Sequence, residues 1–479
     1  MAKTQKVAKK ALFVLFVKNI WSFVLSDLDR FLEQKGAEYA PFDTKRVHRI
    51  YAVLKPHLEE LYAQSKSKKT PKVFTPQGEE QCGFSPQNKP FIIHILGTNG
   101  KGSTGRFITL GLAQNCYKVL HFTSPHLFRF NERFYLANIP NSDSSAKSSS
   151  AKTNKKDYAK DCSNAHKVAH RIANDSELEK AHLWLQRFSI VAESSYFEYA
   201  TFLALYLAKD CDYFVCEAGL GGEFDSTSIL QADLSVFTPI SFDHQDMLGN
   251  SIESIATTKL KAMSKHTLIA PQIYKEVDSI AKSIAKQKGA ELTFVENIFD
   301  ETDKPISLEH LVRLPENFYE YSQNLAPFLK QNLFVAYRAL ESIGIGVDFA
   351  SLTRFDLPAR AQYIAPNILI DVGHNAHCAH SILQIVKQKR VILVYNTFFD
   401  KDASAILGIL KPAIERLLIL EVSHSRILPK DKLINIAQNL GIEYGIFEGV
   451  DSMRADKDYV VFGSFSVVKT FMEIYNVAR

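Results

Sequence analysis

Cysteine is scarce in this sequence, and the cysteines that occur are scattered. The 479 residues include six, at Cys82, Cys116, Cys162, Cys211, Cys216 and Cys378. No two of them form a C-x-x-C pair, and their density is far below that of a small disulfide-stapled domain. We therefore expect a reduced, cytoplasmic protein rather than a secreted one.

An excess of one charge is also lacking. Lys and Arg number 57 against 52 Asp and Glu, which gives a net charge of +5 over the whole chain. A nucleic-acid-binding face needs basic residues concentrated and interleaved with aromatic ones. The basic residues cluster instead in serine-rich or terminal segments, so we expect no nucleic-acid partner.

No apolar run is long enough to cross a membrane. The apolar residues 11–17 follow Lys9 and Lys10, but Lys18 and Asn19 interrupt the run, whereas a spanning helix needs about 20 apolar residues. We expect residues 1–23 to form an N-terminal extension, either an amphipathic helix or an additional leader. A membrane-surface anchor is the alternative.

What the sequence does contain is the composition of a globular protein, 46% hydrophobic and 23% charged. Two polar segments stand apart, the Ser/Lys-rich residues 65–75 and 141–160. Such segments have too little apolar surface to order themselves. The second therefore predicts a flexible surface insertion at about 141–175.

Short β-rich runs alternate with stretches of helix length. The predicted strands are residues 91–96, 118–122, 212–216 and 234–238, then 367–371, 391–395, 417–422 and 459–462. This alternation predicts an α/β protein with mostly parallel sheets covered on both faces. We place the joint between two domains near residues 351–358, which gives a first domain of 24–355 and a smaller, Rossmann-like α/β domain of 356–479.

A glycine-rich turn, GTNGKGS at residues 97–103, follows the first predicted strand and opens a helix. Backbone N–H groups at such a helix terminus bind phosphate oxygens, and Lys101 can neutralise the phosphates. The strict P-loop pattern is not met, because Ile95 stands where the first glycine belongs and Gly102 separates Lys101 from Ser103. We interpret the first domain as a P-loop-type nucleotide-binding domain; a glycine-rich turn without nucleotide is the alternative.

Other polar residues follow predicted strands of the first domain. Glu217 begins EAGLGG after the strand 212–216, and Asp243 and His244 follow the strand 234–238. Ligands of open α/β sheets bind at the carboxyl ends of strands, and a carboxylate there suits Mg²⁺. Each residue alone could equally be an ordinary loop carboxylate or a structural histidine.

The second domain has a matching set. Asp371 and His374 belong to DVGHN at the end of the predicted strand 367–371, and Arg360 lies eleven residues before Asp371. An arginine can hold phosphate with its planar fork. We expect this domain to close over a nucleotide held by the first.

These motifs together resemble one family. GTNGKGS, TSPHL (123–127), YFEYAT (196–201), EAGLGG, DHQDMLGNS (243–251) and DVGHN occur in the order found in the folylpolyglutamate synthase/dihydrofolate synthase branch of the Mur ligase superfamily. The resemblance extends from about residue 42 to residue 465. It implies an ATP-dependent ligase that adds L-glutamate to dihydropteroate, to reduced folates or to both through an acyl phosphate, with Mg²⁺ and as a monomer.

The resemblance also implies roles for individual residues. The expected ATP contacts are Thr98, Asn99, Gly100, Lys101, Gly102, Ser103, Asn332, Arg360 and Asp371, and the expected metal ligands are Ser124, Glu217, His244 and Lys259 as a carbamate. The expected catalytic residues are Lys101, His244, Arg360 and His374. The expected pterin-side residues are Ser195, Tyr196, Phe197, Glu198, Phe224, Asp225 and Ser226.

Several positions depart from the family pattern. Glu223 replaces the usual arginine, Phe328-Leu329 replaces His-Gln before Asn332, and the usual Glu-Lys-Ala-Gly around the modified lysine reads TKLK at 258–261. The last change leaves Lys261 as a rival of Lys259. Two other functions remain open: a different Mur-type ligase, such as a cell-wall precursor ligase, and a nucleotide-binding protein that has lost ligation.

Overall fold

The structure is a computed structural model that describes residues 26–36, 43–65, 72–74, 80–82, 89–139, 169–299, 314–386 and 389–477. The predicted extension 1–23 and the polar segment 141–160 lie outside these residues, so the structure does not test them. Within the described part of the chain, no helix combines the length and apolar character that a membrane crossing requires.

The first helices of the described residues cover one face of the first large sheet. Ser26 caps the first of them through a capping box with Asp29. The elements up to the first sheet are α1 (Asp27–Lys35), α2 (Arg46–Gln64) and the antiparallel pair β1 (Lys72–Phe74) and β2 (Glu80–Cys82).

The first large sheet has eight strands. They are β3 (Phe91–Leu96), β4 (Val119–Phe122), β5 (Phe134–Ala137), β6 (His170–Ile172), β7 (Tyr213–Glu217), β8 (Leu234–Phe237), β9 (His266–Ile269) and β10 (Glu291–Phe294). Their order is β10-β9-β8-β3-β7-β4-β5-β6. All pairs are parallel except β4–β5 and β5–β6.

Helices cover both faces of this sheet. They are α3 (Lys101–Gln114), α4 (Asp175–Leu185), α5 (Tyr196–Leu207), α6 (Gln245–Leu248), α7 (Ile252–Leu260), α8 (Lys275–Lys288), α9 (Phe318–Ser322) and α10 (Pro327–Ser342). Every residue of β3 is buried, as expected for a central parallel strand. One apolar core joins the sheet to α3 and α10, and a second joins it to α1, α2, α4 and α5.

The second sheet has six strands in the order β11-β12-β16-β13-β14-β15, with only β11–β12 antiparallel. Its elements are β11 (Gln362–Ala365), β12 (Ile368–Ile370), α11 (Ala376–Val386), β13 (Val391–Tyr395), α12 (Ala403–Leu410), β14 (Ile414–Ile419), α13 (Lys430–Asn439), β15 (Tyr444–Ile446), β16 (Tyr459–Phe462) and α14 (Phe465–Val477). The predicted fold class, two mostly parallel α/β sheets, is confirmed.

Predicted and observed elements differ at their ends and edges. Three strands have the predicted bounds, β3, β13 and β16. The predicted insertion, about 141–175, ends too late in the sequence. Residues 170–172 already form strand β6, which pairs with β5, and α4 begins at Asp175. The short strands β5, β6 and β11, which make antiparallel pairs, were not predicted, since three or four residues carry little periodic signal.

The cysteines fit the reduced-protein expectation in part. Cys211, Cys216 and Cys378 are free thiols, whereas Cys116 is disulfide-bonded, so the expectation is wrong for Cys116. The predicted domain joint falls in the segment between α10 and β11, which leads from the first sheet to the second.

Candidate functional site

A cleft of about 860 Å³ lies where the carboxyl ends of the central strands of the first sheet face the second sheet. Strands β3, β7 and β8 supply three of the loops that line it, and the loop after β12 lines it from the other side. This is the position at which open α/β sheets bind ligands. The predicted polar residues of both domains therefore come together.

The turn after β3 has the shape of a phosphate loop. Gly97 has φ +129°, and a Cβ there would lie 2.1 Å from the hydroxyl of Thr238, so only glycine fits. The amide of Thr98 donates to Pro239 at 3.0 Å, and its hydroxyl donates to Ser241 at 3.1 Å. Helix α3 starts at Lys101 with the left-handed Gly100 as its N-cap. The loop is thus fixed before any ligand arrives.

Lys101 and Glu217 lie beside each other in the cleft. The ammonium of Lys101 is 3.9 Å from the carboxylate of Glu217, and both side chains are mostly buried. Glu217 accepts hydrogen bonds from the hydroxyl of Thr123 and, at 3.3 Å, from the amide of Ser124. A cation and a carboxylate therefore share one wall of the cleft.

His244 also lines the cleft, in the left-handed conformation with φ +51°. Burial, together with the charges of Lys401, His374 and Lys259, lowers the pKa of His244 to about 4 against the opposing effect of Asp243. The imidazole is therefore neutral near pH 7, the form that coordinates metals.

Lys259 and Lys261, the two rivals for the carbamylated position, have different surroundings. Lys259 is 5% exposed, lines the cleft, and donates to the carbonyl of Gly97 at 3.1 Å. Burial, followed by the charge of Lys101, lowers the pKa of Lys259 to about 7. Lys261 is half exposed and pairs with Glu223 at 2.9 Å on the surface. The geometry favours Lys259, since carbamylation requires a neutral amine.

The second domain contributes Arg360, Asp371 and His374 to the opposite wall. Asp371 accepts from the amides of Gly373 at 2.7 Å and Ala361 at 2.8 Å, and burial raises its pKa despite the charge of Arg360. The guanidinium of Arg360 lies 5.0 Å from the ring of Phe465. Burial lowers the pKa of Arg360, but an arginine remains charged at every physiological pH.

Asn332 of α10 faces the phosphate loop. A Cβ on Gly100 would lie 2.9 Å from its amide oxygen. The side chain of Asn332 is buried in the cleft wall, and its amide nitrogen has no hydrogen-bond partner in the structure. A buried donor without a partner costs stability unless a ligand or water satisfies it.

The predicted pterin-side residues at the start of α5 separate into two groups. Tyr196 lines the cleft, with its ring 5.4 Å from the guanidinium carbon of Arg133. Ser195 and Glu198 form the capping box of α5, and Glu198 also binds Arg46 at 2.7 Å in a buried ion pair. Phe197 is fully buried and packs against Gly219. Of these four residues, Tyr196 therefore lines the cleft, whereas Ser195, Phe197 and Glu198 belong to the cap of α5 and to the core.

The second predicted pterin segment lies at the turn after β7. Phe224 is exposed, whereas Asp225 is buried and accepts from the amides of Leu220 at 2.7 Å and Thr227 at 2.9 Å. Ser226 opens a 3₁₀ turn that Asp225 caps. The carboxylate of Asp225 thus stabilises its own loop.

The sequence prediction did not assign Lys401, Asn375 or His377, which also line or border the cleft. Lys401 donates to Asp243 at 2.5 Å. Asn375 and His377 contact the side chain of Asn99 in the phosphate loop, at 3.0 and 2.9 Å. All three come after strands of the second sheet. Because ligands of open α/β sheets bind at the carboxyl ends of strands, the sequence offered a signal for them.

Comparison with known proteins places the chain among a group of ligases. A family model, the Mur ligase middle domain, matches residues 168–309. The chain is 30% identical over 413 residues to the dihydrofolate synthase/folylpolyglutamate synthase of Escherichia coli, covering 81% of this chain and 88% of that protein.

Solved structures agree with the sequence matches. The crystal structure of Helicobacter pylori folylpolyglutamate synthetase is 39% identical, with a TM-score of 0.65 and coverage of 94% of this chain and 98% of that one. A bifunctional folylpolyglutamate synthase/dihydrofolate synthase with Mn, AMPPNP and L-glutamate bound has a TM-score of 0.68 over 94% and 98% of the two chains. Its identity is 21%, so this likeness supports the fold.

Proposed function

Because the chain belongs to the dihydrofolate synthase/folylpolyglutamate synthase family and is an ATP-dependent acid–amino-acid ligase, we propose that it joins L-glutamate to dihydropteroate, to reduced folates, or to both. One observation carries the proposal. Lys101, Glu217 and His244 of the first domain and Arg360, Asp371 and His374 of the second line a single cleft. A protein that had lost ligation would have no need to keep both sets together.

The proposed reaction has two steps. A carboxylate oxygen of the pteroate or folate attacks the γ-phosphorus of ATP, ADP leaves, and an acyl phosphate forms. The neutral amine of L-glutamate then attacks the acyl carbon, inorganic phosphate leaves, and the amine nitrogen loses a proton. The protein contributes mainly positioning, charge neutralisation and exclusion of water from the intermediate.

The phosphate loop, residues 97–103, is proposed to hold the ATP phosphates through its backbone amides and Lys101. Arg360 adds a second cation from the opposite wall, and Asn332 offers its buried amide donor to the nucleotide. Asp371, fixed by two backbone amides, is proposed as a further ATP contact and His374 as a catalytic residue. The position of this loop at the N-terminus of α3 supports the assignment, since the backbone amides of a helix N-terminus bind phosphate.

The relatives support a divalent metal, and we propose Mg²⁺ in this protein. Ser124, Glu217, His244 and a carbamate on Lys259 are the residues that would hold it. They fit, because all four line the cleft and His244 is neutral at pH 7. When bound, the metal ion would neutralise charge on the transferring phosphate.

The pterin side rests on fewer residues. Tyr196 faces the cleft and is proposed to contact the pterin ring directly. We propose that five residues support that side by fixing α5 and the turn after β7, because they already belong to the helix cap, the core or the turn: Ser195, Phe197, Glu198, Asp225 and Ser226. Phe224 is exposed on the same turn and is proposed as a pterin-side residue of smaller effect.

We also propose that the protein acts as a cytoplasmic monomer without a nucleic-acid partner. Three free thiols among the described residues support a reducing compartment, while the bonded Cys116 counts against it. Size-exclusion chromatography with light scattering tests the oligomeric state, and thiol titration of freshly purified protein tests the redox state.

The deciding experiment measures ADP release from Mg-ATP and L-glutamate, with dihydropteroate or tetrahydrofolate in separate reactions. Turnover with dihydropteroate alone identifies a dihydrofolate synthase, and turnover with both identifies a bifunctional enzyme. A folded protein that binds ATP but is silent with both acceptors would contradict the proposal and favour a Mur-type ligase with another substrate.

A further inference from the structure

The carboxylate of Asp243, in the first domain, is bound mainly by side chains of the second domain. Asp243 belongs to the loop after β8 in the first domain, but its three closest side-chain partners come from the second. They are Lys401 at 2.5 Å, His374 at 3.3 Å and Asn375 at 3.3 Å. The imidazole of His244, in its own domain, is 3.9 Å away.

Lys401 is as buried as the carboxylate that it binds. Their side chains are 6% and 8% exposed. Lys401 also lies 3.6 Å from Asp400, whose other oxygen is bound by Arg426 at 2.8 Å. Taking two charges out of water is costly unless each has a well-placed partner. Because its two members come from different domains, this pair forms only while the second domain lies against the first.

The same carboxylate connects Lys401 to the phosphate loop. The amide of Asn375 donates to Asp243 at 3.3 Å and to the side-chain oxygen of Asn99 at 3.0 Å. Asn99 donates back to Asn375 at 3.3 Å. A chain of contacts thus runs from Lys401 through Asp243 and Asn375 to residue 99 of the loop.

We propose that Lys401 is a positioning residue that acts through Asp243: the buried contact between them holds the second domain closed, keeps His374 against Asp243 and keeps Asn375 against Asn99 of the phosphate loop. The kinetic effect of this role rests on the proposed function. The effect on domain closure does not, since it follows from the contacts alone.

The test compares Lys401→Met, Asp243→Asn and the double variant with the unaltered protein. Lys401→Met is expected to lower kcat at least tenfold while KM for ATP changes by less than about threefold, because the first domain keeps its own phosphate contacts. In the Asp243→Asn background, Lys401→Met should have almost no further effect. Additive losses would overturn the proposal and indicate that Lys401 contacts a substrate directly.

Hydrogen exchange supplies a readout that does not depend on turnover. Lys401→Met should speed exchange in the segments 97–104 and 371–380 while leaving β14 and β15 unchanged. Lys457→Met is the matched control, since Lys457 pairs with Glu415 at 2.5 Å within the second domain, and it should alter neither segment. Unchanged exchange at 97–104 in the Lys401 variant would contradict the proposal.

Folding is checked by the thermal midpoint of each variant. If Lys401→Met does not fold, Lys401→Gln, which keeps a hydrogen-bond donor, is used with the same readouts. Failure of the proposed function would appear as silence of the unaltered protein with every acceptor. Failure of the present inference would appear as normal exchange or additive kinetics in a protein that turns over.

Discussion

The nucleotide side of the cleft and the predicted pterin side are built differently. On the nucleotide side, Lys101 at the start of α3 and Glu217 at the end of β7 line the cleft, although both side chains are mostly buried. On the pterin side, Glu198 does not line the cleft and has Arg46 and a helix amide as partners inside the core. A charged side chain that lines the cleft can therefore meet a ligand even when it has protein partners, whereas one paired inside the core stabilises the fold.

The largest effect should come from Lys101 on the nucleotide side. Lys101→Ala is expected to lower kcat by roughly 10³-fold with little change in the free energy of unfolding, because its charge faces the transferring phosphate. Lys286→Ala on the exposed face of α8 is the matched control. Steady-state ADP release and urea unfolding measure both quantities. Normal activity of Lys101→Ala would show that Lys101 has a structural role and does not act on the phosphate.

On the pterin side, Glu198→Gln should act on stability rather than on catalysis. It leaves Arg46 buried beside a neutral amide, which is expected to lower the free energy of unfolding by about 3 kcal/mol. Glu193→Gln, which weakens a half-exposed pair with Arg49, is expected to cost less than about 1 kcal/mol. If Glu198→Gln raises KM for the acceptor and leaves the free energy of unfolding unchanged, Glu198 binds substrate and the two sides of the cleft do not differ as described.

Lys259 should make activity depend on carbon dioxide. Its pKa of about 7 means that the amine is neutral above pH 7 and protonated below it, so the carbamate should be lost as the pH falls through 7. Depleting carbon dioxide at pH 8 should lower activity about tenfold, and bicarbonate should restore it. If activity does not change with bicarbonate and the Lys259→Ala variant is still active, Lys259 does not carry a carbamate that the reaction needs.

The same pKa shift predicts how stability varies with pH. Between about pH 7 and 10.5 the amine of Lys259 is neutral in the folded protein but protonated in the unfolded chain. The unfolded state therefore binds more protons, and the contribution of Lys259 to stability rises with pH across this range. Urea unfolding of the unaltered protein and Lys259→Met, in carbon dioxide-free buffers, should show a smaller pH slope for the variant.

Two aromatic residues on the pterin side, Tyr196 and Phe224, differ in whether they line the cleft, and their alanine variants should differ in KM. Tyr196→Ala is expected to raise KM for the pteroate or folate about fivefold, because its ring faces the cleft, while Phe224→Ala should change KM less than twofold. Both are aromatic-to-alanine changes on the same side, so each controls for the other. The reverse order of effects would show that the turn after β7 closes on the substrate.

The smallest effect should belong to Lys261. Lys261→Met removes a half-exposed pair with Glu223 and is expected to cost less than about 1 kcal/mol of stability. The bicarbonate dependence should survive, since Lys259 remains. If that dependence disappears while the protein stays folded, Lys261 rather than Lys259 carries the carbamate.

Most residues on the nucleotide side of the cleft could be predicted because they belong to patterns of neighbouring residues in the sequence. A glycine-rich turn between a strand and a helix, and polar residues directly after parallel strands, fall at one edge of the sheet whatever the details of packing. The order of six motifs identified the family, which the relatives confirm. The short strands β5, β6 and β11 could not be predicted because three or four residues show no clear period.

The sequence by itself determined the parallel α/β architecture, the phosphate loop and the group of strand-end residues, since alternation and strand ends are properties of neighbouring residues. Only the tertiary structure decided which matched residues face the cleft: Tyr196 rather than Glu198, Lys259 rather than Lys261. It also brought Lys401 to Asp243 across 158 positions of sequence. The physical reason is that burial and charge pairing depend on partners distant in the chain, and no local pattern records them.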